Sequence, residues 1–375
     1  MKVAGRDPAT GRMMCVVTDG GVIAEVRPAA GTTDRWLAPG LVDLQVNGFA
    51  GHDVNDPEVS AGTVTDLVRA LWRVGVTTVL PTVVTADEAH ITRAVAEIGR
   101  ARDADAAVAH AIPCVHVEGP FISDQEGARG VHDTRHIRRA STGELRRWGD
   151  LVGLVTLSPH DESAIEFIRA ATRMGVRCAI GHTHAAPAQI TRAVDAGAEM
   201  STHLGNGAHA VLARHPNYLW AQLADDRLAA SFIADGHHLP ADTFKAMLRA
   251  KGLDRAILVS DCTELGGMPP GRYGTPVGGE VELSPDGRLS QVGTPFLAGA
   301  ARSLADGVAT AITMAGLTLT AALRLATANP GRFAGGRGLL RPGLPADLIT
   351  FTWQPGSTTL EIRTVVANGI PVFEA

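Results

Sequence analysis

The sequence predicts an α/β protein whose parallel strands close into a barrel, with a small β-sandwich assembled from both ends of the chain. Three observations predict it. From residue 41 to about 330, short apolar runs rich in β-branched residues alternate with longer stretches of helical periodicity, as in a parallel sheet wrapped by helices. Eight such runs can be counted. The two ends, residues 1–38 and about 336–375, instead hold short alternating segments with few helical signals.

In chain order, MCVVTDG and GVIAEV read as the first strands of the terminal unit, and Pro39-Gly40 marks the start of the barrel. The eight barrel runs are LVDLQVNG (41–48), TTVLPTVV (77–84), CVHVEGPF (114–121), GLVTLSP (153–159), RCAIGHTH (177–184), EMSTHL (199–204), AASFIADGHH (229–238) and AILVSDC (256–262). Between them, DLVRALWRVG (66–75) and AIEFIRAATRMG (164–175) place apolar residues at i, i+3, i+4 spacing and end in glycine, as capped amphipathic helices do. NPGRFAG (329–335) closes the barrel, and ADLITF and TVVANGIPV return the chain to the terminal unit. The expected domains are therefore 39–335, a (β/α)8 TIM barrel, and 1–38 plus 336–375, a β-sandwich. An open doubly wound sheet would need a G-x-G-x-x-G turn after its first strand, and LVDLQVNGFAGHD is not one.

Composition excludes several classes. The chain is 375 residues long, 45% hydrophobic and 19% charged, with a formal net charge of -5, so no basic surplus favours nucleic acid. No apolar run follows a basic start, and none approaches the about 18 uninterrupted apolar residues of a membrane span. A cytoplasmic protein is expected. Cys15, Cys114, Cys178 and Cys262 lie far apart without a CxxC pair, so free thiols rather than disulfides or a zinc knuckle are expected.

The chemistry concentrates at the C-terminal strand ends, which form the active face of such a barrel. These ends carry Glu118, His182-Thr183-His184, His203, Asp235-Gly236-His237-His238 and Asp261. One carboxylate with two imidazoles suits a divalent catalytic ion, and Glu118, His182 and His203 supply that set. A single histidine in such a place is more often a satisfied core or surface side chain; the joint placement argues for the ligand set.

The pieces PGLVDLQVNG, HVEGPF, GHTH, THLGNG, IADGHH, SDC, LAGA and GLPADLI together resemble the N-acetylglucosamine-6-phosphate deacetylase family of the amidohydrolase superfamily, over nearly the whole chain. The resemblance implies hydrolysis of an acetamide on an amino sugar. It implies a metal on Glu118, His182 and His203, Asp261 as the acid/base, and a homodimer. It further implies substrate contacts from His132, Asn206, Gly207, Arg214 and His238, with Arg214 on the phosphate, in the family sometimes from the neighbouring subunit. Where many amidohydrolases carry H-x-H for a second metal, this chain reads Gln45-Val46-Asn47; a variant of this kind in the family goes with one ion per subunit, here expected to be zinc. The alternative to a place for Gln45 and Asn47 in the substrate site is that they simply hydrogen-bond loops.

The sequence departs from the family pattern at Gly205, His215, Asn217 and Cys262, which bears on the exact sugar more than on the reaction. His184, His209, His215 and His237 match no required role, and Cys262 should point away from the site. Another amide substrate is disfavoured by the Q-x-N pair and HVEGPF, and a non-catalytic sugar-binding protein by the intact ligand set.

Overall fold

The structure is a computed structural model that describes residues 1–275, 279–294 and 296–375. Eight parallel strands build the barrel: β1 (Leu41–Val46), β2 (Val76–Val84), β3 (Val115–Glu118), β4 (Val152–Leu157), β5 (Arg177–Ile180), β6 (Ala198–Ser201), β7 (Ala229–Ile233) and β8 (Ala256–Val259). Each pairs with its sequence neighbour from β1 through to β8. The seam between β8 and β1 closes just beyond β8, where the Asp261 amide donates to the Gln45 carbonyl at 3.0 Å and the Asn47 amide to the Cys262 carbonyl at 2.9 Å.

Alternation decides which side chains fill the barrel. Val42, Leu44, Leu80, Leu154, Ala179, Met200, Ile257 and Val259 form the interior cluster. Side chains pointing the other way, such as Val79, Val117, Val155 and Ile180, pack against the helices. Helix Ala61–Arg73 presents Val64, Leu67, Val68, Leu71 and Trp72 on one buried stripe, and Ser60 caps its start by accepting from the Thr63 amide. Gly75, at φ +84°, turns the chain into β2; a Cβ there would sit 2.8 Å from Ile362 Cδ1, so only glycine satisfies both the left-handed backbone and the close packing.

The two termini share one seven-stranded sheet, in the order Ile370–Glu374, Glu361–Ala367, Leu348–Thr352, Trp36–Pro39, Lys2–Arg6, Met13–Asp19, Val22–Pro28. It curls back on itself: Val22 bridges to Pro345, and the Ile23 amide donates to Leu344 O at 2.9 Å. Val16, Ile23, Leu37, Ala346, Leu348 and Val366 fill the space enclosed. A feature not read in the sequence is a three-stranded antiparallel sheet, Gly271–Thr275, Gly279–Leu283 and Leu289–Gln291, inserted after β8.

Several strands stop short of their expected ends: β5 ends at Ile180 rather than 184, β7 at Ile233 rather than 238, and β8 at Val259 rather than 262. The residues beyond leave the extended conformation. His182 has φ +46°, His203 +26° and Asp261 +51°, and the other described non-glycine residues with positive φ are Ala50 and Asn368.

Candidate metal centre and active site

His182, His203 and Asp261 each lie two residues past the end of their strands, β5, β6 and β8, and Glu118 is the last residue of β3. Left-handed backbone is costly for non-glycine residues, and it turns these side chains inward. Glu118, His182 and His203 are buried and Asp261 is partly buried. Glu118 Oε1 lies 2.9 Å from His203 Nε2 and 3.4 Å from His182 Nε2. One ligand atom from each of Glu118, His182 and His203 lies within 4.8 Å of the others.

The donor chemistry fits a divalent ion. His182 Nδ1 donates to the Ala128 carbonyl at 2.9 Å; a carbonyl can only accept, so Nδ1 carries a proton and Nε2 is the ring atom available to a ligand. Gly207 packs against the same ring, where a Cβ would meet His182 Nδ1 at 2.6 Å, and its φ of +55° lies in the left-handed region that favours glycine. The charges are tightly coupled. Burial alone would lower the proton affinity of His203, but the hydrogen bond and charge of Glu118 outweigh it and push the imidazole up to about 9. Burial likewise opposes ionisation of Glu118, yet the hydrogen bonds from His182 and His203 hold it well below the usual carboxylate range. With protein groups alone, a proton balances the carboxylate where a cation would otherwise do so.

Asp261 is pushed up to about 6 by burial and by the nearby charge of Glu118. Asn47 Nδ2 donates to Asp261 Oδ1 at 2.9 Å, and Gln45 Nε2 donates to Glu118 Oε1 at 3.0 Å. Both amides therefore hold the carboxylates of the cluster by their N–H groups. Beneath Glu118 lies a buried polar layer. His116 is pushed down to about 4 by burial and is neutral. Its Nδ1 meets the Leu44 carbonyl at 3.1 Å and its Nε2 meets Thr156 Oγ1 at 2.7 Å, with Thr202 Oγ1 2.6 Å further on. Because Leu44 O only accepts, Nδ1 carries the proton, Thr156 donates to Nε2, and Thr202 donates to Thr156.

His132 joins the cluster, with its Nε2 3.3 Å from His182 Nε2; burial and the charge of His182 push it down to about 3. Asn206 donates from Nδ2 to the His203 carbonyl at 3.3 Å. His238 Nδ1 lies 2.7 Å from Asp235 Oδ2, and His238 is close enough to act electrostatically on Asp261. Arg214 is not brought in: it is exposed, in a loop, and no hydrogen bond or ion pair is described for it. Of the residues set aside, His184 Nδ1 is 2.6 Å from Ser123 Oγ, His209 bonds Tyr218 and Gln125, His237 meets the Asp286 carbonyl, and His215 is exposed. Cys262 Sγ lies 3.2 Å from Gly48 O and 3.1 Å from Ser260 Oγ, buried in the seam with its thiol pushed up by burial. All four cysteines are free. Asp235 was visible in the sequence at a strand end, but nothing there assigned it a role.

The Amidohydrolase family profile matches residues 36–372. An N-acetylgalactosamine-6-phosphate deacetylase of Escherichia coli O157:H7 is 32% identical over 342 residues, covering 88% of each chain. The chain belongs to the amidohydrolase family. Within it, the N-acetylglucosamine-6-phosphate deacetylases are relatives by sequence and by fold. The human one is 30% identical over 360 residues, 91% of this chain and 84% of that protein. The Mycobacterium smegmatis N-acetyl-D-glucosamine-6-phosphate deacetylase, solved with N-acetyl-D-glucosamine-6-phosphate, superposes with a TM-score of 0.85 at 26% identity over 96% of this chain and 95% of that one. The Thermotoga maritima deacetylase gives 0.87 at 25% identity over the whole of both chains. As an amidohydrolase, this chain is a hydrolase of amide C–N bonds.

Proposed function

We propose that this amidohydrolase removes the acetyl group from an N-acetylhexosamine 6-phosphate, with N-acetylglucosamine-6-phosphate as the first substrate to test. The observation that carries the reading is the convergence of Glu118, His182 and His203 at 2.9 and 3.4 Å beside Asp261. An ion held by Glu118, His182 and His203 would supply Lewis acidity and lower the pKa of water towards ~7. Zinc suits that nitrogen and oxygen set, and the Gln45 and Asn47 amides, turned with N–H groups to the carboxylates, support one ion per chain.

Asp261 is the proton carrier. Its carboxylate, held by the Asn47 amide at 2.9 Å beside the cluster, is placed to accept a proton from the attacking water and then return it to the departing amine. His238 is the second catalytic side chain, a substrate contact beside Asp261 that orients the acetamide. His132, Asn206 and Gly207 border the cluster and form the sugar-binding wall, with Gln45 and Asn47 at its floor.

Arg214 is the phosphate contact, offered by one subunit of a homodimer to the site of its partner. Its exposure in this chain supports that reading, as do Val211 and Trp220 in the same segment, apolar side chains that are 88% and 55% exposed. The full form of the proposal is a cytoplasmic homodimer with a catalytic domain of residues 39–335 and a terminal domain of 1–38 plus 336–375. The experiment is acetate release across N-acetylglucosamine and N-acetylgalactosamine, each free and as the 6-phosphate. The galactose epimer belongs in the panel because the Escherichia coli O157:H7 relative is named for it. Turnover of neither phosphorylated sugar would refute the assignment.

A further inference from the structure

Four strands in succession around the active face end with chemistry two residues on, except that β7 carries a residue with no part in the reaction described above. That residue is Asp235, two past Ile233. It is 4% exposed, and its carboxylate is fully engaged. Oδ1 accepts the amides of His237 and His238 at 2.8 and 2.9 Å, and Oδ2 meets His238 Nδ1 at 2.7 Å. Burial opposes its charge, but the His238 contact and the two amides hold the carboxyl down at about 2.

An ionised carboxylate accepts and never donates. His238 Nδ1 must therefore carry a proton, which leaves Nε2 as the ring atom free for substrate; no protein partner for Nε2 is described. We propose that Asp235 is a positioning residue that locks His238 in the Nδ1-protonated form and fixes the plane of its ring beside Asp261. This deepens the deacetylase reading and rests on it. Asp235 does the second part of its work through the backbone, since Oδ1 folds residues 235–238 into the turn that delivers His238.

Asparagine separates the two roles. Its Oδ1 still accepts both amides, so the turn persists, but its Nδ2 donates towards His238 Nδ1 and drives the proton to Nε2, the inversion expected when an orienting aspartate loses its charge. The experiment is nitrogen NMR of the full-length, ¹⁵N-histidine-labelled protein, with kinetics on the same samples. Wild type should show His238 protonated at Nδ1, and Asp235→Asn should show it protonated at Nε2, with kcat/KM down about 10²-fold. In a His238→Gln background, Asp235→Asn should change kcat/KM less than about 2-fold, because the interaction it served is already gone. Wild-type His238 protonated at Nε2 alone overturns the proposal, and this holds even if Asp235→Asn does not fold. So does an equal loss from Asp235→Asn with and without His238. If wild type hydrolyses no N-acetylhexosamine, the deacetylase reading fails, while the NMR result still decides the role of Asp235.

Discussion

His182, His203 and Asp261 adopt left-handed backbone while the strands that carry them stop two residues earlier. Such conformations persist only where surrounding structure holds them, and here they aim three side chains at one point. Gly207 is part of that support, since its lack of a side chain leaves the His182 ring the space that a Cβ would enter. Gly207→Ala is expected to displace the His182 ring, lowering bound metal per chain and cutting kcat/KM at least 10-fold, the scale of loss for a disturbed ligand support. Metal analysis of the purified variant checks it; an unchanged metal content would show that the loop yields instead. Residue types at this scale were legible in the sequence because acids and imidazoles cluster at strand ends. Their backbone was not, because alternation assumes that a strand continues, as the expected run to 184 illustrates.

At the level of elements, buried polar groups at helix ends and at the barrel seam set the stability of the frame. Lys251, fully buried on helix Ala241–Lys251, donates through Nζ to the carbonyls of Gln222, Asp225 and Leu228 at 2.8, 2.8 and 2.9 Å. It thereby holds the end of helix Tyr218–Ala224 and the turn into β7. Lys251→Met keeps the bulk but takes a donor from three carbonyls, of which Asp225 O keeps the Leu228 amide at 3.2 Å, and should destabilise by about 3 kcal/mol, seen as a lower Tm in calorimetry with metal content unchanged. Asp43 sits in the seam, where its Oδ1 accepts the Ser260 amide at 3.2 Å and burial pushes the carboxyl up to about 7. The folded chain therefore keeps a proton that the unfolded chain releases from its ordinary value near 4. Stability from this group is present at low pH and is lost as pH rises from about 4 to about 7. Asp43→Asn does not titrate, so the Tm of the variant minus that of wild type should rise between pH 5 and pH 8. A constant difference would contradict the raised affinity. The inserted sheet was not legible because its strands are short, three to five residues, the first two holding glycine and charge, and carry too weak an apolar alternation.

Over the whole molecule, the eightfold alternation of strand and helix was legible because each strand buries both faces and reads as a continuous apolar run. Strand starts fell within one residue of their observed positions; the ends, apart from that of β2 at Val84, did not, for the reason given above. Arg214 is exposed in the single chain, and its proposed role across a dimer is tested by subunit mixing. Mixing Arg214→Ala subunits with Asp261→Asn subunits should restore turnover that neither variant has alone, because one site of the mixed dimer then holds both an intact Asp261 and an intact partner arginine. Failure to complement would place Arg214 in its own site or outside the reaction.

The central claim is that Glu118, His182 and His203 hold one ion while Asp261 moves the proton. Metal content and kcat measured on the same preparations of wild type, His203→Ala and Asp261→Asn test it most directly. The account predicts about one ion per chain in wild type, loss of that ion in His203→Ala, and an Asp261→Asn protein that keeps its ion while kcat falls by ~10² or more. Two tightly held ions in wild type, a His203→Ala protein that keeps both metal and turnover, or an Asp261→Asn protein of near-normal kcat would contradict it.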